Sequence, residues 1–371
     1  MSPYAHITGW GMAVPERIMT NQEIASLVDT TDEWIQSRTG IRERRIAGSE
    51  DTTASLATEA AIRALEVANL MPAQVELIIV ATSSPEHIFP ATACLVQDRI
   101  GASGAGAFDL LAACSGFIFG INMAAQAIRS GSVKNALVIG SETLSRITNW
   151  HDRNTCILFG DGAGAFVLQA GEEPAGVFSA VMRSDGSGGD LLTLPAGGSR
   201  FPASLETLKE NLHYIQMNGR EVFRFATRVM AQATREALEQ AKIKIEDVNL
   251  VIPHQANQRI IEAAIRGLDI PMEKCVINVD RYGNTSTASI PIATCETVEQ
   301  GRLKPGDWVV FVGFGAGLTW GALVVKWSGP ILPERRIYPK SYRLWVRIRS
   351  SLLRLLRHIE GLIWGRNYPE I

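Results

Sequence analysis

The sequence lacks the features that mark several large classes of protein. No apolar run is long enough to cross a membrane, and the N-terminus, MSPYAHITGW, has neither the basic start nor the apolar core of a signal peptide. The five cysteines include no C-x-x-C pair, which argues against a disulfide framework or a structural zinc site. The formal net charge is only −2, so the overall charge does not indicate nucleic-acid binding. We therefore expect a cytoplasmic protein without a metal.

Charge is distributed unevenly along the chain. Positions 330–371 carry nine Lys/Arg and three Asp/Glu, whereas positions 1–329 have a net charge of −8. Apolar residues of this tail recur at helical spacing with arginines beside them. The apolar positions are Trp345, Ile348, Leu352, Leu355, Ile359 and Leu362, and the arginines are Arg343, Arg347, Arg354 and Arg357. The pattern predicts an amphipathic helix that either lies on an anionic membrane surface or docks onto the protein's own body or a dimer partner.

The second half of the chain repeats motifs of the first half in the same order. Strand and helix patterns alternate throughout, which predicts an α/β protein. ALEVANLMPAQVELIIV (64–80) parallels ALEQAKIKIEDVNLVIP (237–253) without gaps, and GSVK (131–134) parallels GRLK (301–304) at a slightly smaller offset. FGDGAGAFVL (159–168) also resembles FGAGLTWGALVV (314–325). We predict two duplicated halves, residues 1–172 and 173–329, followed by the basic tail at 330–371.

Three polar residues occupy comparable places in these halves. Cys114 lies between an apolar run and a small-residue helix, where a helix N-terminus would favour the thiolate, although an inert buried cysteine is the alternative. The offset between GSVK and GRLK carries Cys114 to Asn284. His254 ends a strand at the position that Ala81 takes in the first half, and ligands of α/β sheets bind beyond such strand ends. Considered alone, His254 has the alternative of a structural histidine and Asn284 that of a turn residue. Together with Cys114 they predict a cysteine-nucleophile site. The glycines of FGDGAGAF do not match a dinucleotide fingerprint and indicate close packing between the halves.

Several long motifs resemble those of the β-ketoacyl-acyl carrier protein synthase III family. From about residue 5 to residue 327 they occur in the family's order: DTTDEWIQSRTGIRERR, AACSGF, FGDGAGA, IPHQAN, RYGNTSTAS and FGAGLTWG. The resemblance implies a thiolase-like fold, which is a duplicated, five-layered αβαβα arrangement. It also implies an acyltransferase that initiates type II fatty acid synthesis without a cofactor, using acyl-coenzyme A and malonyl-acyl carrier protein as substrates.

The resemblance further implies which residues act in two successive steps. Cys114 would take the acyl group from coenzyme A, and the carbanion formed by decarboxylation of the malonyl group would then attack the acyl-Cys114 carbonyl. His254 and Asn284 would stabilise the enolate, and the backbone N–H groups of Cys114 and Ala316 would form the oxyanion hole. The coenzyme A residues would be Trp34, Arg38, Arg153 and Asn257; the carrier-protein residues would be Arg224, Arg259 and Arg266. Phe89 would line the acyl pocket of a second protomer, which implies a homodimer.

Other functions remain open at this point. A related enzyme of a secondary pathway would use a different starter or extender. A thiolase would need a second active-site cysteine, which no motif supplies. A papain-like cysteine hydrolase shares the Cys-His-Asn set, but the chain has no C-G-S-C-W signature and Cys114 lies deep in the sequence. A non-enzymatic binding protein would be expected to have lost one of the three residues.

Overall fold

The computed structural model describes residues 3–330 and, towards the C-terminus, residues 344–345, 348–353, 355–356 and 358–359. The strands are β1 (Tyr4–Ala13), β2 (Ile18–Thr20), β3 (Glu43–Arg45), β4 (Leu77–Ala81), β5 (Gly106–Leu110), β6 (Asn135–Glu142), β7 (Gly162–Gly171), β8 (Gly176–Ser184), β9 (Leu192–Thr193), β10 (Gln216–Met217), β11 (Leu250–Pro253), β12 (Trp308–Gly315) and β13 (Thr319–Lys326). The helices are α1 (Asn21–Ala25), α2 (Asp32–Thr39), α3 (Thr53–Ala68), α4 (Thr92–Ile100), α5 (Gly116–Arg129), α6 (Leu205–Lys209), α7 (Gly219–Ala241), α8 (Gln258–Arg266), α9 (Val279–Tyr282) and α10 (Ser289–Glu299).

Two sheets have the same strand order. The first runs β1-β7-β6-β4-β5, and the second runs β8-β13-β12-β11. In both sheets the inner pairs β4–β6 and β11–β12 are parallel, whereas the pairs β6–β7 and β12–β13 are antiparallel. A single parallel bridge between Val251 and Cys275 stands beside β11, where the first sheet has β5. The chain passes from one sheet to the other between β7 and β8.

Helices form three layers around these two sheets. The core between α3, α4 and the first sheet is built from small and branched apolar residues, and α7 and α8 cover the outer side of the second sheet in the same way. Apolar residues of α5 and α10 join a third core that includes residues of both sheets. Because α5 and α10 lie between two sheets, they are apolar on nearly every side. The order α, β, α, β, α confirms the predicted five-layered α/β fold.

The glycines of FGDGAGAF allow the central layer to pack closely. A Cβ atom added to Gly164 would lie 2.6 Å from Cβ of Pro291 in α10, and one added to Gly162 would lie 3.0 Å from Cδ1 of Ile292. Any side chain at Gly164 would therefore push α10 away from β7. This supports the interpretation of the motif as packing between the halves.

The offset that aligns 64–80 with 237–253 persists up to the start of the central helices. Short 3-10 helices at Ala113–Ser115 and Ser286–Ala288 precede α5 and α10, and the first residues of these turns, Ala113 and Ser286, have φ values of 45° and 48°. The structural counterpart of Cys114 is therefore Thr287, so its predicted equivalence with Asn284 is wrong. The reason is that α10 has 11 residues and α5 has 14, so the smaller offset applies only after these helices.

Beyond Pro330, the described residues of the C-terminal tail are helical. Ser350 is buried, and its hydroxyl donates a hydrogen bond to Asp98 of α4. No helix within the described part of the chain is long and apolar enough to cross a membrane. Of the tail positions singled out above, five lie outside the described residues: Arg343, Arg347, Arg354, Arg357 and Leu362.

Candidate active site

Cys114 lies in the short 3-10 helix between β5 and α5. The preceding residue, Ala113, has a φ of 45°, which is uncommon for a residue with a Cβ atom. Burial raises the pKa of the Cys114 thiol to about 12, and a hydrogen bond with the Ser286 hydroxyl opposes this rise only in part. The helix N-terminus was expected to favour the thiolate. Burial has the larger effect, so the thiol is protonated in the resting protein.

The segment before α10 connects the three predicted catalytic residues. The Ser286 hydroxyl lies close enough to the Cys114 thiol to lower its pKa, and the Ser286 backbone N–H donates to Oδ1 of Asn284 at 2.9 Å. Three residues further on, Oγ of Ser289 lies 2.7 Å from Nδ1 of His254. The structure therefore gathers Cys114, His254 and Asn284 around one turn of chain.

Asn284 is fixed by its own backbone as well as by Ser286. Its N–H donates to the Leu158 carbonyl at 2.8 Å, and its carbonyl accepts from the Gly160 N–H at 3.0 Å. A Cβ atom on Gly160 would lie 2.2 Å from the Tyr282 carbonyl oxygen, so only glycine allows this pairing. With Oδ1 occupied by Ser286, the Nδ2 group of Asn284 is left to donate to a substrate.

His254 is buried and neutral. Burial lowers the pKa of its imidazole to about 3. The Ser289 hydroxyl oxygen accepts from the Gln255 backbone N–H at 3.3 Å, so its proton is free to be donated to Nδ1 of His254. We assign the proton of the imidazole to Nε2 on this basis. Nε2 is buried and has no hydrogen-bond partner among the described residues, which makes it a donor awaiting an acceptor.

The turn between β12 and β13 lies against Cys114. A Cβ atom on Gly315 would be 2.7 Å from the backbone nitrogen of Cys114, so a side chain there would displace the two segments. The Thr319 hydroxyl lies 3.0 Å from the carbonyl oxygens of both Ala112 and Ala316. Thr319 therefore holds together the two segments whose N–H groups, those of Cys114 and Ala316, were predicted to form the oxyanion hole.

The duplicated fold repeats this arrangement at a second location, with different residues from the two halves. Ala81 and Thr287 occupy the positions of His254 and Cys114. Oγ1 of Thr287 lies 2.9 Å from the Ala81 carbonyl oxygen and 3.2 Å from Oε1 of Glu142. Glu142 is fully buried, and burial raises the pKa of its carboxyl. This second location has neither a thiol nor an imidazole, so the duplicated fold holds one complete set of reactive groups.

The four residues expected to bind coenzyme A lie together at the surface. The guanidinium carbon of Arg153 is 4.1 Å from the centre of the Trp34 ring, and that of Arg38 is 5.9 Å from it. Nδ2 of Asn257 donates to the Arg38 carbonyl at 3.0 Å, while its Oδ1 caps the start of α8. Trp34 is therefore half-buried beside two cations, an environment suited to a planar, anionic ligand.

The three arginines expected to bind the carrier protein lie on α7 and α8, which pack against each other. Arg224 is exposed and pairs with Glu221 at 2.9 Å, and Arg266 is exposed near Glu262 at 3.8 Å. Arg259, also exposed, is seven residues before Arg266 on the same helix. Phe89 lies elsewhere, in the loop before α4, with its side chain 84% exposed in the single chain.

Comparison with known proteins identifies the family. Models of 3-oxoacyl-[acyl-carrier-protein (ACP)] synthase III and of its C-terminal region match residues 108–186 and 238–327. A beta-ketoacyl-[acyl-carrier-protein] synthase III of Roseiflexus sp. (strain RS-1) is 53% identical over 328 residues, which cover 88% of this chain and 100% of that protein. The chain belongs to the beta-ketoacyl-[acyl-carrier-protein] synthase III family. The family predicted from the sequence motifs is thus confirmed.

Solved structures of the synthase III family confirm the thiolase-like fold. The crystal structure of 3-oxoacyl-[acyl-carrier-protein] synthase III from Aquifex aeolicus VF5 has a TM-score of 0.81 and 47% identity, and the match covers 87% of this chain and 100% of that one. The priming β-ketosynthase of the R1128 polyketide pathway has a TM-score of 0.82 but only 34% identity, over 89% and 98% of the two chains. The secondary-pathway alternative is therefore not favoured.

Four residues of this synthase III site were missed by the sequence analysis: Ser286, Ser289, Thr319 and Glu142. The first two belong to TSTAS, whose hydroxyls are typical of helix capping. Ser289 follows His254 at the same distance along the chain as Gly116 follows Ala81. This position in the repeat was the available signal for Ser289. No group of His, Cys, Asp or Glu side chains able to hold a metal ion occurs in the described part of the chain.

Proposed function

We propose that this synthase III family member catalyses the decarboxylative Claisen condensation of an acyl-coenzyme A starter with malonyl-acyl carrier protein. The products are 3-oxoacyl-acyl carrier protein, coenzyme A and carbon dioxide, and the reaction initiates type II fatty acid synthesis in the cytoplasm. The observation that carries the proposal is the convergence of a buried thiol and two neutral N–H donors, Cys114 with His254 and Asn284, on one turn. Relatives matched over their whole length bear the name of this reaction's enzyme.

Burial of Cys114 suits the acylation step. The thiol attacks the carbonyl carbon of the starter thioester, a new S–C bond replaces the bond to coenzyme A, and the thiol proton leaves with the departing coenzyme A sulfur. The acyl-enzyme is uncharged, so the burial that disfavours the thiolate does not disfavour the product. The tetrahedral intermediate places negative charge on oxygen, where the N–H groups of Cys114 and Ala316 would receive it.

Neutral donors suit the decarboxylation step. As carbon dioxide leaves the malonyl group, charge develops on the thioester oxygen, where Nε2 of His254 and Nδ2 of Asn284 would donate. The low pKa of His254 matters here, because an imidazolium would transfer its proton to the carbanion and end the reaction. The carbanion then forms a C–C bond with the acyl carbonyl carbon, the C–S bond to Cys114 breaks as the carbonyl re-forms, and the sulfur takes up a proton from water to restore the thiol.

The surface residues fit the two carriers of the acyl groups. Trp34, Arg38 and Arg153 offer an aromatic face and two cations to the adenine and phosphates of coenzyme A. An open cleft of about 610 Å³ begins next to Arg153; its lining residues are Asn154, Asp190, Gln216, Met217, Asn218, Gly219 and Arg220. The exposed arginines of α7 and α8 would meet the acidic carrier protein through charge complementarity.

A homodimer accounts for the apolar surface near Phe89. Ile88 and Phe89 are both more than 80% exposed, and Leu111, just after the edge strand β5, is 78% exposed. An edge strand flanked by exposed apolar side chains is a surface that proteins normally cover. We infer that β5 faces the same strand of a second copy and that Phe89 enters the partner's acyl pocket.

A mass-spectrometric experiment tests the proposed function. The protein is incubated with a panel of acyl-coenzyme A thioesters, weighed, and then supplied with malonyl-acyl carrier protein. We expect an acyl adduct that Cys114→Ala abolishes and that the matched control Cys94→Ala, at an exposed cysteine, retains. Addition of the malonyl substrate should convert the adduct to a 3-oxoacyl product. Release of the acyl group as free acid without condensation would instead indicate a hydrolase.

A further inference from the structure

The C-terminal tail presents an apolar stripe to solvent. Leu344, Ile348, Leu352, Leu355 and Ile359 are each 40% to 65% exposed. In a helix with 3.6 residues per turn, these five positions fall within an arc of about 80°. Five large aliphatic side chains in one exposed line form a surface that a soluble protein seldom leaves uncovered.

Residues 348–353, which are helical, contact the body of the protein through the side opposite the stripe. Ser350 is buried and donates to Asp98, and it shares a small cavity with Arg349, Leu353 and the end of α4. Around the helix axis, Ser350 lies about 160° from the centre of the apolar stripe. A helix that docked on its own body for stability would bury its apolar side. Here Ser350 makes the hydrogen bond to the body and Leu353 lines the same cavity, whereas the five residues of the stripe stay exposed.

Charge identifies what the stripe would meet. Positions 330–371 have a net charge of +6 and positions 1–329 have −8. An anionic surface would therefore attract the tail and repel the body. Helices that lie in a membrane interface typically have large aliphatic residues on one side and basic residues nearby. The leucines, isoleucines and arginines of the tail follow this pattern. A second copy of this tail would be repelled by the same positive charge.

We propose that the tail binds the surface of a bilayer containing anionic lipid and holds the enzyme at that surface. The apolar stripe enters the boundary between head groups and acyl chains, and the net positive charge of the tail is attracted to the lipid phosphates. Contact through Ser350 keeps the stripe directed away from the body. The attachment would be peripheral, because only one side of the tail is apolar.

Flotation of the full-length protein with vesicles tests this proposal. Vesicles of equal parts phosphatidylglycerol and phosphatidylcholine should carry the protein upwards, pure phosphatidylcholine should not, and binding should weaken as salt shortens the screening length. The triple substitution Ile348→Gln, Leu352→Gln and Leu355→Gln should lower the partition coefficient at least tenfold. The control Ile348→Leu, Leu352→Ile and Leu355→Ile keeps the stripe apolar and should bind like the natural sequence.

Two outcomes would overturn the proposal. The first is equal binding by the glutamine variant and the natural protein. The second is that neither protein binds vesicles but the glutamine variant has a different particle mass by light scattering. That result would show that the stripe contacts a second copy of the chain. Acyl-enzyme formation with soluble substrates should be unchanged in all variants, so a failure of membrane binding is distinguishable from a failure of the proposed reaction.

Discussion

Replacement of Ser289 by alanine should slow condensation while sparing acylation. The Ser289 hydroxyl is 2.7 Å from Nδ1 of His254 and accepts from the Gln255 N–H at 3.3 Å. By donating to Nδ1, this hydroxyl keeps the imidazole proton on Nε2, the nitrogen without a partner among the described residues. Without the hydroxyl, part of the His254 population carries its proton on Nδ1 and cannot donate to the enolate.

The size of the effect follows from one hydrogen bond. A buried neutral hydrogen bond contributes about 1–1.5 kcal/mol, which corresponds to roughly a five- to tenfold change in rate. Complete loss of an oxyanion donor costs ~10²–10³. Ser289→Ala leaves the imidazole in place, so we expect the condensation rate to fall about tenfold. The buried Gln255 N–H also loses its acceptor, so the free energy of unfolding should fall by about 1–3 kcal/mol.

Separate measurement of the half-reactions distinguishes this positioning role from a general loss of structure. Acylation is followed by mass spectrometry, and condensation is started by adding malonyl-acyl carrier protein to enzyme already acylated. Thr294→Val is the control, because it removes another buried hydroxyl of α10, one that donates to the Ile290 carbonyl and not to His254. If Ser289→Ala slowed both half-reactions equally, or if Thr294→Val had the same selectivity, the tautomer argument would be refuted.

Four further substitutions test other parts of the site. Cys114→Ala should abolish covalent labelling by radioactive acyl-coenzyme A, and persistent labelling would exclude Cys114 as the nucleophile. Asn284→Ala should acylate normally but condense ~10²–10³ more slowly, and an unchanged condensation rate would remove it from enolate stabilisation. Thr319→Val should slow both half-reactions about tenfold because both form an oxyanion at Cys114; a selective effect would contradict the shared hole. His254 is neutral in the fold with a pKa of about 3, so the unfolded chain takes up the proton first as pH falls below its ordinary value. Urea unfolding should therefore show the natural protein losing about 2 kcal/mol between pH 7 and pH 5 relative to His254→Gln, and parallel pH dependence of the two would disprove it.

The sequence predicted the fold, and it singled out Cys114 and His254 as candidate reactive residues, because both leave local patterns. Strand ends, glycine motifs and the repeat depend on residues close together in the chain, and they placed Cys114 and His254 at related strand ends. The equivalence of Cys114 with Asn284 failed because the difference in length between α5 and α10 is absorbed after the helices begin. A single offset between the two halves of the sequence does not show at which residues the difference in helix length occurs.

Burial and orientation could not be predicted in the same way. The pKa of Cys114 depends on how two halves of the chain enclose the thiol, and the sequence showed only the helix N-terminus that acts in the opposite direction. Likewise the helical spacing in the tail indicated an apolar side, but only the contact of Ser350 with Asp98 shows that this side faces outwards. Both properties arise from residues far apart in the sequence.

The unequal halves have a consequence for how such a site can change. Two identical half-length chains related by a twofold axis would carry every substitution twice, so a thiol could not be introduced at one helix start without a second at the other. Covalent continuity removes that restriction. In this chain the location of Ala81 and Thr287 carries no thiol or imidazole. Thr287 instead contacts the Ala81 carbonyl and the buried carboxyl of Glu142. Asymmetry at two positions is thus enough to give an almost symmetric scaffold one buried thiol beside one buried imidazole at the described location.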